Sequence, residues 1–327
     1  MRYFVTGATG FIGGRLARVL LEHGHQVVIV ARTPGKAAAL QALGAEVHQG
    51  DITDRESLRA PMQGADGVFH VAGWYKVGVR NTAPGQAINV EGTRHVLSMM
   101  QELAIPKGVY TSTLAINSDT DGRIVDETYH FNGSHISEYD RTKAEAHYIA
   151  DAFIRAGLPL VIVQPGIVYG PGDESSLHDT FQQYLKGQLP MLIEGTAFSW
   201  AHVDDIVEAH ILAMDKGRPG ESYIIAGDTH TLVEAIGIAQ AITHVKPPAL
   251  VLPRSVVKAM SAFMRVFSPL PLPTMLNGEY LRVSAATYTG SNAKARRELG
   301  HNPRPLREGL IPTLAWEMEQ AGKTAKP

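Results

Sequence analysis

"VTGATGFIGG", Val5 to Gly14, is the stretch on which the fold turns. The apolar run Tyr3 to Gly7 enters it as a strand, and Gly13 to His23 leaves it with Leu16, Val19 and Leu20 at helical spacing. Between the two, Gly7, Gly10 and Gly13 stand three residues apart. In such a junction the first glycine permits the tight bend, the second lets backbone approach a pyrophosphate, and the third allows close helix–strand packing. The helix start adds free N–H groups and a partial positive charge. A lone glycine motif fits any tight turn. At the first strand–helix junction of an alternating pattern it reads as a dinucleotide cradle.

The alternation extends outward from this turn. "QVVIVAR" (Gln26 to Arg32), "AEVHQGD" (Ala45 to Asp51), "GVFHVAG" (Gly67 to Gly73), "GVYTST" (Gly108 to Thr113) and "PLVIVQPG" (Pro159 to Gly166) are strand-like, with helical stretches between them. Continuous apolar strands alternating with helices specify a parallel sheet covered on both faces. The expected fold is therefore α/β, a doubly wound parallel sheet (Rossmann fold), with ligands at the carboxyl ends of its strands. After Gly166 the rhythm becomes irregular, and "SYIIAG" (Ser222 to Gly227) reads as one further strand returning to the sheet. The expected division is a dinucleotide-binding domain over 1–165 with about 200–228, a smaller, irregular C-terminal substrate lobe over 166–199 and 229–320, and a frayed tail at 321–327.

Composition narrows the function classes. With 327 residues, 44% hydrophobic and 19% charged, the chain can bury a substantial core. A net charge of −2 with no run of one sign leaves no electrostatic footprint for nucleic acid or an anionic membrane surface. The absence of cysteine excludes disulfides, thiolate catalysis and cysteine metal sites. The N-terminal segment lacks the features of a signal peptide. "ALVLPRSVVKAMSAFMRVFSPLPLP" is broken by Arg254, Lys258, Arg265 and several prolines, so it is no clean membrane span. The 14 histidines are scattered, and no metal site is expected. A soluble, cytoplasmic protein acting on a small molecule is the expectation.

The strand ends suggest which dinucleotide. A carboxylate after the second strand would bind ribose hydroxyls, whereas a basic residue accommodates a 2′-phosphate. Here Arg32 ends the strand, Lys36 follows, and no acid is near. NADP(H) is favoured, with NAD(H) the alternative. Asp51 and Ile52, after the third strand, are placed to meet the adenine, and the small Ala72 and Gly73, after the fourth, to let the cofactor pass.

"YDRTK" puts Tyr139 one helical turn before Lys143. A tyrosine hydroxyl ordinarily titrates near pH 10, and a neighbouring ammonium or an oxidised nicotinamide favours its ionised form. Such a hydroxyl can give a proton to a carbonyl oxygen as hydride reaches carbon. Thr111, Ser112 and Thr113, at the end of the fifth strand, offer a third hydroxyl.

The glycine turn, the Ser/Thr cluster and YxxxK together resemble the extended short-chain dehydrogenase/reductases, within the NAD-dependent epimerase/dehydratase superfamily. "NVEGTRHVL" (Asn89 to Leu97), "PGIVYGPGD" (Pro165 to Asp173), "HVDDIVEAHI" (His202 to Ile211) and "KARRELGHNPRPLREGL" (Lys294 to Leu310) extend the likeness along nearly the whole chain. The resemblance implies that Tyr139 is the acid/base and that Lys143 binds the nicotinamide ribose. It matches the family's catalytic serine to Thr113, with Ser112 second. It also implies cofactor contacts from Thr9, Phe11, Ile12, Asn89, Thr111, Pro165, Gly166, Ile167 and Val168, and a homodimer through the helices that begin near Asn89 and Tyr139.

The superfamily divides into reductases with exchangeable NADP and nucleotide-sugar epimerases or dehydratases that retain NAD. Nucleotide-sugar members typically carry an asparagine where this chain has Ile167, and Arg-Asp where it has "FSWAHVDD". An apolar clamp would leave diphosphate charge unpaired. Trp74, Tyr75, Thr113 and Trp200 are the expected substrate contacts. "HVDDIVEAHILAM" is similar to dihydroflavonol-reductase-like and 3β-hydroxysteroid-dehydrogenase-like members. The expectation is an NADP(H)-dependent ketone or aldehyde reductase for a largely apolar substrate. The alternatives are an epimerase/dehydratase and a non-catalytic dinucleotide sensor.

Overall fold

The strand-like runs form a seven-stranded sheet, parallel throughout, in the computed structural model, which describes residues 1–264 and 277–322. Its first six strands are β1 (Arg2–Thr6), β2 (Gln26–Ala31), β3 (Glu46–Gln49), β4 (Gly67–His70), β5 (Gly108–Thr111) and β6 (Leu160–Pro165). Beyond them lie β7 (Ile167–Tyr169), β8 (Leu192–Glu194), β9 (Ala197–His202), β10 (Ser222–Ile225), β11 (Thr229–Thr231), β12 (Val251–Pro253) and β13 (Thr287–Tyr288). The order across the large sheet is β10-β6-β5-β4-β1-β2-β3. The direction of winding reverses between β1 and β4, where a doubly wound sheet opens its ligand crevice. "SYIIAG" returns to the sheet as expected, pairing β10 with β6.

Helices cover both faces because the strands are apolar on both. On one face Leu16 and Leu20 pack with Ile206, Val207 and Ala213. On the other, Val96, Leu97 and Met100 pack with Ala146 and Ala150. A third cluster gathers Phe181, Trp200, Ile236 and Leu310. The Ala293–Leu299 helix falls in the C-terminal lobe by sequence, yet Ala295 and Leu299 pack into the core of the large sheet.

Two small sheets accompany the large one. In one, β9 lies between β11 and β13 and also pairs with β7, Ile167 opposite Trp200; in the other, β12 pairs with β8. Among the described residues no helix is long and apolar enough to cross a membrane. The expected substrate lobe over 229–320 falls partly on 265–276, outside the described residues, and the expected frayed tail does so at 323–327.

Candidate active site

The glycine turn shows why its spacing is needed. Gly7 has φ +71°, and a Cβ there would stand 2.8 Å from the Ala72 backbone. A Cβ on Gly13 would stand 2.3 Å from the Gly7 carbonyl oxygen, so only glycine lets this helix pack so close. The Phe11–Glu22 helix has no side-chain cap at Gly10 and no acidic residue in its first turn, which leaves its leading N–H groups available to an anion. This cradle fits a dinucleotide pyrophosphate.

Arg32 follows β2 with its side chain 74% exposed, its Nε 3.9 Å from the Asp51 carboxylate. Lys36 lies exposed in the following turn. Ile52 is buried against the sheet, and Gly73 is exposed at the crevice. The ends of β1, β2, β3 and β4 thus bring the glycine turn, Arg32, Asp51, Ala72 and Gly73 to one edge of the sheet.

The Glu138–Arg155 helix carries Tyr139 and Lys143. It starts there because Ser137 caps it, accepting from the Asp140 backbone N–H at 3.0 Å, with Glu138 and Asp140 in the first turn and Arg155 in the last. Tyr139 is partly buried, with the Thr113 hydroxyl near its phenol. Loss of water around the phenol pushes it up to about 12, outweighing the lowering effect of the Thr113 hydroxyl. Lys143 is 5% exposed. Its Nζ donates to the Thr111 carbonyl at 2.7 Å, lies 3.3 Å from the Tyr110 hydroxyl, and burial lowers it to about 7. Among the protein's own groups desolvation dominates, raising the hydroxyl and lowering the amine.

The hydroxyl cluster separates by direction. Thr113 faces Tyr139 and also accepts from the Ala115 N–H at 3.2 Å. Ser112, the second candidate, turns away and pairs with His147 Nδ1 at 2.9 Å. The Thr111 hydroxyl points to the opposite face, 2.8 Å from His210 Nε2, and only its carbonyl serves the site.

Two expectations are corrected. Asn89 is 1% exposed and spends its amide on scaffold, accepting from Trp74 N at 2.7 Å and donating to Trp74 O and the Thr142 hydroxyl, both at 2.9 Å. Trp200 is 1% exposed, with Nε1 donating to the His230 carbonyl at 3.0 Å, so it offers no face to a substrate. Tyr75 is 48% exposed, with the Lys76 ammonium 4.9 Å from its ring centre. Trp74 lies against Gly85. Pro165 ends β6, and a Cβ on Gly166 would stand 2.0 Å from the Ser199 carbonyl oxygen. Ile167 and Val168 continue into β7.

Sequence reasoning flagged Phe198 within "FSWAHVDD" but missed the rest of the wall beside Tyr139. Ala115, Ala286 and Tyr288 form a small apolar cluster against which Ile136, Tyr139, Phe198 and Val283 pack. Phe198 stacks on Tyr288 with planes 6° apart. The Tyr288 hydroxyl donates to the buried Asp140 at 3.1 Å, and burial raises that carboxyl to about 7. Contacts this distant in sequence leave no local spacing signal. His70, in "GVFHVAG", was findable, because a histidine within a fully apolar strand must be paired.

A profile of the NAD dependent epimerase/dehydratase family matches residues 3–226. The chain belongs to this family. It is an NAD(P)-dependent oxidoreductase of the extended short-chain dehydrogenase/reductase type. It is 29% identical to sterol demethylase protein B of Methylococcus capsulatus, over 98% of this chain and 99% of that protein. It is also 29% identical to a 3 beta-hydroxysteroid dehydrogenase/Delta 5-->4-isomerase of Mycobacterium tuberculosis, over 92% of this chain and 86% of that one. The crystal structure of gox2253 superposes with a TM-score of 0.85 at 32% identity, covering 98% of this chain and 99% of that chain.

Proposed function

We propose that the protein is an NADP(H)-dependent reductase of a ketone or aldehyde on a largely apolar small molecule, or the oxidant of the corresponding alcohol. The observation that carries this reading is Tyr139, near the Thr113 hydroxyl and set against the apolar side chains of Ile136, Phe198 and Val283. A bound nicotinamide dinucleotide supplies the hydride. Gly7, Gly10 and Gly13 hold its pyrophosphate, Arg32 and Lys36 its 2′-phosphate, and Lys143 its nicotinamide ribose. Thr113 and Tyr139 donate to the substrate oxygen, and Tyr139 gives that oxygen its proton.

Two features support an apolar substrate. The partly exposed rings and branches beside Tyr139 reward burial of hydrocarbon, at about 25 cal/mol per Å². Ile167 stands where a diphosphate would need a polar partner. The steroid and sterol names of the relatives agree with this chemistry. We further propose a homodimer, in which a second copy covers the recess of about 420 Å³ beside Arg94, Arg141, Tyr148 and Phe153. Size-exclusion chromatography with light scattering reads that directly.

The test is an oxidation and reduction screen of apolar alcohols, ketones and aldehydes with either dinucleotide, with Tyr139→Phe as control. Turnover of an apolar ketone, lost in the variant, supports the reading. Turnover confined to nucleotide sugars contradicts it.

A further inference from the structure

The Gly278–Ser284 helix buries none of its residues, so its seat rests on polar contacts. Its root lies in the C-terminal lobe. The Ser261 hydroxyl donates to the Gly278 carbonyl and the Thr196 hydroxyl to the Ser284 carbonyl, both at 2.8 Å, and Arg254 Nε donates to the Ala285 carbonyl at 2.7 Å. Its other side reaches both walls of the crevice. Toward the loop after β4, Asn277 Nδ2 donates to the Gly78 carbonyl at 3.2 Å, and the Gly78 N–H points back at Glu279 Oε1 at 3.5 Å. Toward Tyr139, the same Glu279 oxygen accepts from the Glu138 N–H at 3.2 Å, and Arg282 Nε donates to the Ile136 carbonyl at 3.2 Å. Val283 packs on the same apolar cluster as Tyr139.

The Glu138 N–H belongs to the first turn of the Tyr139 helix, whose leading donors have no partner within the helix. Ser137 caps that helix through the Asp140 N–H, and the Glu138 side chain is taken by Arg141 at 2.6 Å. The Glu138 N–H is served instead by a carboxylate 141 residues away. Such a bond is charge-assisted, and negative charge is favoured at a helix N-terminus. Ser137 already starts the helix, so the Glu279 contact is not what forms it. What the contact adds is a fixed spacing between the Tyr139 helix and the lobe that carries Val283. With one oxygen shared between Glu138 and Gly78, helix and loop cannot part without breaking a bond.

We propose that Glu279 is a positioning residue for Tyr139: one carboxylate oxygen clasps the start of the Tyr139 helix and the Gly78 loop, and so sets the spacing between the phenol and the apolar wall. Glu279 acts through Tyr139 and not on the substrate. Where a phenol must meet a carbonyl oxygen, a misplacement of about 1 Å costs up to about 10²-fold in rate. The effect on chemistry therefore falls on kcat, with the dinucleotide cradle at the other strand ends untouched. That consequence rests on the proposed role of Tyr139, whereas the clasp stands on its own hydrogen bonds.

The test is amide hydrogen exchange at Glu138 and Gly78 in the full chain without substrate or cofactor, read by NMR. Beside it stands the ¹³Cζ resonance of Tyr139, identified by its loss in Tyr139→Phe. In the wild type the Glu138 amide is expected to be protected, although it opens a helix. Glu279→Ala is expected to speed exchange at both amides by about tenfold or more and to shift the Tyr139 resonance. Glu279→Gln keeps an accepting oxygen and is expected to restore both. On any ketone the enzyme turns over, Glu279→Ala is expected to lower kcat by about tenfold or more with NADPH affinity unchanged. Free exchange of the Glu138 amide in the wild type overturns the proposal, and this result alone decides if Glu279→Ala does not fold. Unchanged amides in Glu279→Ala, a Tyr139 resonance that stays in place, or a Glu279→Gln that behaves like Glu279→Ala overturn it too. The exchange and resonance readouts use no turnover, so a failed reductase screen leaves them to decide the clasp separately.

Discussion

Tyr139 and Lys143 lie one turn apart on a single helix, and burial drives their two groups apart, the phenol up to about 12 and the amine down to about 7. Near neutral pH the phenol therefore keeps its proton, while the amine stands close to half protonated. Their pairing lies in position: Tyr139 stands near Thr113 against the apolar wall, and the Thr111 carbonyl holds the amine beside Gly73. Charge reaches such a site with the nicotinamide, so proton transfer and cofactor state are coupled.

Replacing the proton donor separates chemistry from binding. Tyr139→Phe is expected to lower turnover by about 10²–10⁴-fold while changing dinucleotide affinity little. Steady-state rates set beside a fluorescence titration of NADPH measure both. Near-normal turnover would remove Tyr139 from the mechanism.

Arg32 decides between the two dinucleotides. Its side chain is largely exposed and only loosely paired with Asp51, so it is free to meet a 2′-phosphate. Arg32→Glu is expected to weaken NADPH by tenfold or more, roughly the worth of one charge-assisted hydrogen bond, and NADH far less. Equal losses contradict the phosphate assignment.

Phe198 bounds the site from β9. Phe198→Ala removes a ring from the apolar wall, and the KM of a bulky apolar substrate is expected to rise about tenfold or more. A small aldehyde that does not reach the wall should keep its KM. The same change in both would place Phe198 outside the substrate site.

Asp140 links the site to stability through pH. Its folded value, about 7, lies above the ordinary 3.8, so the folded chain holds an extra proton between these limits. Its contribution is complete below the lower value and lost as pH rises through the upper one. Asp140→Asn stays neutral throughout. Its melting temperature should therefore gain on the wild type as pH rises from about 4 to 7 and level off beyond. A pH-independent gap would show that Asp140 is ionised in the fold.

The glycine turn, the strand alternation and the Tyr/Lys spacing were legible because each is local: a bend, a period and one helical turn. Side-chain direction at strand ends was not. Thr111, Ser112 and Thr113 are adjacent in sequence but answer to His210, His147 and Tyr139, three partners from two helices. Asn89 and Trp200 looked like site residues by type, yet each satisfies its polar atoms inside the scaffold. Thr6, His70 and Tyr110 fall in one row only through the register of three strands that the chain joins by long crossovers. Val283 reaches Tyr139 from a distant segment of the chain and carries no motif, whereas Phe198 lies in "FSWAHVDD".

The most direct measurement is cofactor identity and exchange. The purified protein is denatured, any released dinucleotide is identified, and fresh protein is titrated with NADPH and NADH. An exchangeable site that prefers NADPH, followed by oxidation of that NADPH on addition of an apolar ketone, is the predicted result. Stoichiometric NAD that survives purification, with NADPH unable to displace it, would contradict the reductase and point to an epimerase or dehydratase.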